Sequence, residues 1–201
     1  MFKYLFYPRQ AVLVTAASSE KANVTAVEWI TPIGEKPPML ALSLHNTSLT
    51  LDLLSTSMEF VVAIPSEKLR DAVLLCGATS GKFIDKFSEA ALTQVKAKRV
   101  AAPLIMEAVA NIECKMLNYT SAGDHTLVVG EVVEVTLSKE NKEFAPLMFG
   151  VAERKMNWRE KPAENVLEKP AEKQPDKAQE KNEKAEKQPE KAEKAAPEKP
   201  S

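Results

Sequence analysis

The strongest constraint on this chain is the run Ala122-Gly123-Asp124-His125-Thr126-Leu127-Val128-Val129-Gly130-Glu131-Val132-Val133. Gly123 admits backbone angles closed to other residues, and Asp124 is a good turn former. Val128, Val129, Val132, Val133 and Val135 follow. β-Branched residues at this density favour a pleated, mostly buried strand. His125 therefore stands where a strand leaves a turn, a common position for chemistry on a rigid scaffold. Taken alone, the run reads as a hairpin corner carrying a surface histidine.

The same strand-forming composition recurs upstream. Residues 10–16, 23–30, 39–44, 59–64, 109–119 and 125–137 read as strands. Pro37-Pro38 opens the third of these, where missing amides do least harm. Residues 48–55 and 66–76 read as short helices. The second has Leu69, Val73 and Leu74 at helical spacing and Ser66 as a candidate N-cap. Many strands with few short helices predict a small closed barrel or a sandwich. No Gly-x-Gly-x-x-Gly follows any strand, which disfavours a parallel dinucleotide-binding fold.

The composition changes abruptly after Trp158, beyond which there is neither an aromatic residue nor a glycine. Residues 160–201 carry ten Lys, ten Glu and one Asp, and their prolines interrupt any helix. Such a segment cannot bury enough apolar surface to offset its ordering entropy. We therefore read 1–159 as one domain and 160–201 as a disordered tail, either solubilising or a tether for a protein partner. Acidic and basic residues balance in 1–159, and the whole chain has a formal net charge of −1. Neither part is basic enough to suggest nucleic acid, so a small molecule or another protein is the expected partner. No apolar run is long enough to span a bilayer, and no membrane association is expected. The chain has two cysteines and two histidines. Two separated cysteines make no disulfide framework and fit a reducing, cytoplasmic setting. A zinc site would need nearly all four of these scattered residues, so no metal is expected.

Three further segments offer chemistry. In Asn23-Val24-Thr25-Ala26-Val27-Glu28-Trp29-Ile30-Thr31-Pro32-Ile33, polar and bulky residues alternate, so that one face suits a planar ligand with a polar tail. The bland reading is an ordinary strand with Trp29 in the core. His45-Asn46-Thr47-Ser48-Leu49-Thr50 follows a strand and opens a helix. Helix N-terminal amides favour an anion, and Thr47, Ser48 and Thr50 add hydroxyls, which together suit a phosphate. Plain N-capping by Thr47 or Ser48 explains the same residues equally well. The third segment, residues 76–87, is a flexible loop whose Lys82 can hold a phosphate or a carboxylate. Cys76 beside it has no neighbouring histidine and reads as packing rather than as a nucleophile.

In this order and spacing, these segments resemble the flavin reductase-like family of FMN-binding split barrels. The likeness is greatest to the flavoredoxin and archaeal ferric reductase-type branch. It rests on residues 23–33, Pro37-Pro38 with the strand 39–44, Ser48-Leu49-Thr50, and the segments 77–87 and 123–133, and it covers roughly residues 5–150. It implies a mainly β fold, a six-stranded antiparallel split barrel, usually a homodimer, with FMN near the subunit interface. Carried over, Thr25, Ala26, Val27, Glu28 and Trp29 border the isoalloxazine ring, and Thr31 approaches the ribityl-phosphate end. Thr47, Ser48 and Thr50 hold the phosphate, Lys82 adds charge there, and His125 lies near the flavin face where a nicotinamide stacks. The sequence has no Arg or Lys within residues 46–50, so phosphate binding leans on hydroxyls, amides and Lys82. The implied activity is NAD(P)H-dependent reduction of flavin or a ferric chelate through bound FMN. The alternatives are a flavoredoxin-like electron carrier reduced by a redox protein, and a non-catalytic flavin-binding or interaction module.

Overall fold

The computed structural model describes residues 5–138 and 146–149. Its strands are β1 (Arg9–Gln10), β2 (Val12–Ala17), β3 (Ala22–Val27), β4 (Ile30–Glu35), β5 (Pro38–His45), β6 (Glu59–Ile64), β7 (Gln94–Val95), β8 (Leu104–Ile105), β9 (Ala110–Ala122), β10 (His125–Leu137) and β11 (Met148–Phe149). Three helices interrupt them: α1 (Leu49–Ser57), α2 (Arg70–Ala78) and α3 (Lys86–Glu89), with a 3-10 turn at Glu67–Leu69 leading into α2.

Seven strands form one antiparallel sheet in the order β3-β2-β6-β9-β10-β5-β4. Its two outermost strands, β3 and β4, are consecutive in the chain and are joined only by Glu28 and Trp29. Laid flat, seven strands would put those edges about 28 Å apart. Two linking residues reach across about 11 Å at most. The sheet must therefore curl until its edges approach, and the result is a barrel split between β3 and β4. Pro32, which has no amide to donate, sits in the edge strand β4.

The alternation of the strands sorts side chains to the two faces. Val12, Val14 and Ala16 from β2, Leu40, Leu42 and Leu44 from β5, Phe60 and Val62 from β6, and Val128 from β10 fill the interior. Leu51 and Leu54 of α1 pack onto the same core. Leu13, Val24 and Ala63 face the other way and are covered by Val73 and Cys76 of α2, with Phe87, Ile105 and Phe149. β2 is buried along its whole length because it serves both cores.

β9 and β10 are joined by Gly123 and Asp124, with Ala122 opposite His125. Gly123 has φ +68 and Asp124 no positive φ, the pattern of a II′ hairpin.

The mainly β barrel matches the sequence expectation, and the strand count does not. Residues 23–30 were expected as one strand, but the ladder stops at Val27 and restarts at Ile30. Trp29 instead gives its carbonyl to the Ser43 amide at 2.9 Å, so six large-sheet strands become seven. The helices expected at 48–55 and 66–76 are present as α1 and as the 3-10 turn with α2. The tail assigned to 160–201 and the domain limit at 159 lie outside the described residues.

Candidate active site at the barrel split

Where the barrel parts, a cavity of about 620 Å³ opens. Thr25, Ala26 and Val27 of β3 form one wall, and the linker residues Glu28 and Trp29 continue it. Ser43, Leu44 and His45 at the end of β5 form the opposite side, with Ser48 beside them. Asp124 and His125 reach in from the hairpin turn, and Gly77 and Ala78 close the α2 side. A Cβ on Gly77 would lie 3.4 Å from that of Ala26, so α2 approaches β3 closely here. Tyr7 also lines the cavity, and its hydroxyl donates to Glu28 Oε2.

Three rings meet at this site because the register brings them together. His125 pairs with His45 across β10 and β5, and their ring centroids lie 5.1 Å apart, edge-on. Trp29 is 4.8 Å from His125 with a tilt of 33°. His125 Nδ1 donates to Asp124 Oδ1 at 2.7 Å. That hydrogen bond is the main reason the Asp124 carboxyl is held below the ordinary carboxylate range. Thr47 donates both its amide, at 3.2 Å, and its hydroxyl, at 2.9 Å, to His45 Nδ1. Asn46 ties the two loops together. Its amide donates to the Asp124 carbonyl at 3.0 Å, its side chain to the Gly123 carbonyl at 3.0 Å, and its Oδ1 accepts from Thr126 at 2.9 Å.

α1 begins at the edge of the same cavity. Ser48 is its N-cap residue, yet its side chain makes no capping bond. The first intrahelical bond runs from the Asp52 amide to the Ser48 carbonyl, so the amides before Asp52 have no helical acceptor. The first amides of a helix, a hydroxyl and the positive end of its dipole suit an anionic group. On the far side of Trp29 lies a shallower groove of about 450 Å³ holding Phe6, Arg9, Thr31, Ala41 and Leu127. The Arg9 guanidinium lies over the Trp29 ring at 5.9 Å.

Of the residues singled out from sequence, Thr25, Ala26, Val27, Glu28, Trp29, Ser48 and His125 line the main cavity. Four do not. Thr31 lies in the neighbouring groove, and its hydroxyl donates to the Pro32 carbonyl at 3.2 Å. Thr47 is engaged by His45. Thr50 is fully buried and accepts a hydrogen bond from Asn23 at 2.9 Å. Lys82 pairs with Asp52 in the first turn of α1 at 3.1 Å, which sets it beside the helix N-terminus but off the cavity wall. Neither capping candidate caps α1 through its side chain. Cys76 is buried, and desolvation pushes its thiol up to about 11, which suits packing and not nucleophilic attack. Among the described residues no three His, Cys, Asp or Glu side chains gather as a metal site. Sequence reasoning passed over His45, Asn46, Tyr7 and Asp124 as site residues. The available signal was the symmetric Leu44-His45 strand end and the Asp124-His125 strand start, which become neighbours only once β5 is set against β10.

The profile of the flavin reductase like domain matches residues 4–155. The chain belongs to the flavin reductase-like family. An uncharacterised protein of Archaeoglobus fulgidus is 36% identical over 146 residues, covering 73% of this chain and 81% of the relative. The NADH-dependent FAD reductase of Streptomyces globisporus is 26% identical, over 65% of this chain and 70% of its own. Among solved structures, flavoredoxin from Methanosarcina acetivorans superposes with a TM-score of 0.68 at 22% identity, covering 74% of this chain and 83% of that one. An FMN-binding protein from Thermus thermophilus with bound 1-cyclohex-2-enone superposes with a TM-score of 0.63 at 26% identity, covering 70% and 76%. The flavin reductase-like fold is thus common to proteins of differing activity, and the reaction has to be argued from the site.

Proposed function

We propose that this chain is an FMN-dependent oxidoreductase that accepts hydride from NADH or NADPH. The observation that carries this reading is the juxtaposition of two stackable rings, Trp29 and His125, with the open N-terminus of α1 in one cavity of about 620 Å³. That cavity falls within the size range of cofactor sites. A flat ring bearing one anionic tail matches both ends of it. The family profile and the FMN-binding Thermus thermophilus neighbour support FMN, and the Streptomyces globisporus relative supports a nicotinamide donor.

Bound FMN would supply a ring that takes up a hydride and passes electrons on. The chain's own task is placement. Ser48 and the first amides of α1 would hold the phosphate, and Lys82, anchored on Asp52, would add positive charge beside them. Thr25, Ala26, Val27 and Trp29, which line the cavity, would border the ring. Asp124 fixes the orientation of His125 by holding Nδ1, so Nε2 is the atom available to hold a proton or a substrate group. Asn46 keeps the His45 and His125 loops in mutual register.

We further propose a homodimer, supported by the exposed Ile33, Leu117, Leu127 and Val135 of β4, β9 and β10. Sedimentation at two protein concentrations tests it. A cytoplasmic setting agrees with two buried, unpaired thiols. Among the described residues no helix is long and apolar enough to cross a membrane.

The deciding experiment is an anaerobic visible spectrum of the FMN-loaded protein before and after NADH and then NADPH. Rapid bleaching supports the reductase. A flavin that stays oxidised points to an electron carrier of the flavoredoxin type. Failure to bind FMN sinks both.

A further inference from the structure

Tyr7 belongs to the cavity wall but not to the large sheet. The ladder of β1 with β11 starts at Arg9. Ala11, just beyond it, is fully buried and donates its amide to the Leu147 carbonyl at 3.0 Å. Ahead of that anchor, Leu5 is 80% and Phe6 64% exposed. A segment that buries so little apolar surface opens at low free-energy cost. It straddles the two-residue linker at the barrel split. Tyr7 lies on the side of the main cavity and Phe6 and Arg9 on the side of the shallower groove, while Glu28 and Trp29 line both. Two side chains fasten it there. The Tyr7 hydroxyl donates to Glu28 Oε2. The Arg9 guanidinium lies over the Trp29 ring at 5.9 Å and over the Phe6 and Tyr7 rings at 5.2 and 5.4 Å. Arg9 Nε also donates to the Phe6 carbonyl at 3.2 Å, which gathers the segment around the guanidinium.

We propose that residues 5–9 are a clasp over the barrel split that opens about the Ala11 anchor to pass the flavin in and out, with Tyr7–Glu28 and Arg9–Trp29 as its fastenings; this rests on the FMN reading above. The strand and helix walls do not yield in this way. Thr25, Ala26 and Val27 are paired with β2, Ser43, Leu44 and His45 with β10, and Gly77 stands on a helix pressed against Ala26. Opening the clasp withdraws Tyr7 and leaves all of these in place. A flavin that passes only through the open form enters and leaves at rates that are both multiplied by the open fraction. The clasp therefore sets the rate of exchange without setting the affinity. What it governs is residence time, which separates a resident cofactor from a flavin that is handed on.

The test is FMN exchange with the full-length protein. Entry is followed in stopped flow by the quenching of flavin fluorescence on mixing with protein freed of flavin. Exit is followed by trapping released FMN on an excess of an unrelated flavin-binding apoprotein. Tyr7→Phe keeps the ring and removes one fastening. Its entry and exit rates are both expected to rise about tenfold, with Kd within about twofold of wild type. Arg9→Gln is expected to raise both rates about threefold, and Arg9→Lys, which keeps the cation, by less. An exit rate that rises alone, with Kd weakened in proportion, makes the altered residue a direct contact of the flavin and overturns the clasp. Rates that stay at the wild-type values or fall overturn it too. In all of these cases FMN still binds and the FMN reading stands. Wild type that binds no FMN overturns both.

Discussion

Gly130 and Phe60 occupy one space in the barrel: a Cβ on Gly130 would fall 2.5 Å from Phe60 Cζ. Phe60 is completely buried, and its ring cannot swing out of a filled core. Gly130→Ala is therefore an overpacking change and is expected to cost about 1–3 kcal/mol. Urea denaturation of the variant checks it. Gly130→Ala combined with Phe60→Leu should recover part of that loss, because the ring is the obstacle.

Glu113 provides a second, independent test. It is fully buried on β9, and its two oxygens accept the amides of Lys98, at 3.2 Å, and Arg99, at 2.6 Å. The carboxylate thus binds the strap that carries Ala97, Val100 and Ala102 onto Val61. Glu113→Ala leaves both amides without an acceptor and should cost about 2–4 kcal/mol by thermal or urea unfolding. Glu113→Gln keeps one acceptor and should lose less. A Glu113→Gln variant as stable as the wild type would refute the role of the second oxygen.

Thr50 links stability to the site. Asn23 Nδ2 donates to its hydroxyl, and Gly81 presses on Asn23 from the other side, where a Cβ would lie 2.0 Å from Oδ1. Thr50→Val is nearly isosteric and leaves the buried Asn23 amide unpaired, at a cost of about 1–3 kcal/mol. It also frees the first turn of α1, so FMN affinity measured by fluorescence quenching should fall several-fold. Thr47→Val, at an exposed residue, should leave stability nearly unchanged.

The two thiols predict an alkaline limit. Burial pushes Cys76 up to about 11 and, with the neighbouring Glu113 charge, Cys114 up to about 12, against an ordinary 9.0. The folded state therefore holds these protons longer than the unfolded chain. Their stabilising contribution is complete below pH 9.0, declines as the pH rises, and is exhausted above the folded values. Unfolding free energy should fall from pH 9 to 11, and Cys114→Ser should reduce that slope. At pH 8 both thiols should resist iodoacetamide until the protein is unfolded.

The strands were readable from the chain through their β-branched composition, which left a barrel or a sandwich open; the barrel came with the family resemblance, and in the structure Val12, Val14, Ala16 and Leu40, Leu42, Leu44 face its interior. The break at Glu28-Trp29 was not readable, since polar and bulky residues go on alternating through it. What ends the ladder is the long-range bond of the Trp29 carbonyl to Ser43. The two-residue strands β7 and β8 are too short to carry any period. Trp29, Ser48 and His125 were singled out by residue type and turn position, which are local signals, and the structure sets them along one cavity. Thr47, Thr50 and Lys82 shared those types and went to His45, Asn23 and Asp52 instead. A hydroxyl's partner is decided by packing, which sequence spacing does not encode. His45 was missed because its importance comes from cross-strand register alone.

Glu28 and Trp29 are at once the wall of the cavity and the hinge pin of the fold, the only covalent bridge between the two sheet edges. An added residue at that point would change the circumference of the barrel and the shape of the ligand chamber in one stroke. Variation there is confined to exchanging side chains on a linker of fixed length. The segment between α3 and β9 can lengthen without touching that seam. A library aimed at new donors or acceptors would therefore randomise identities at 28 and 29 and place its insertions elsewhere.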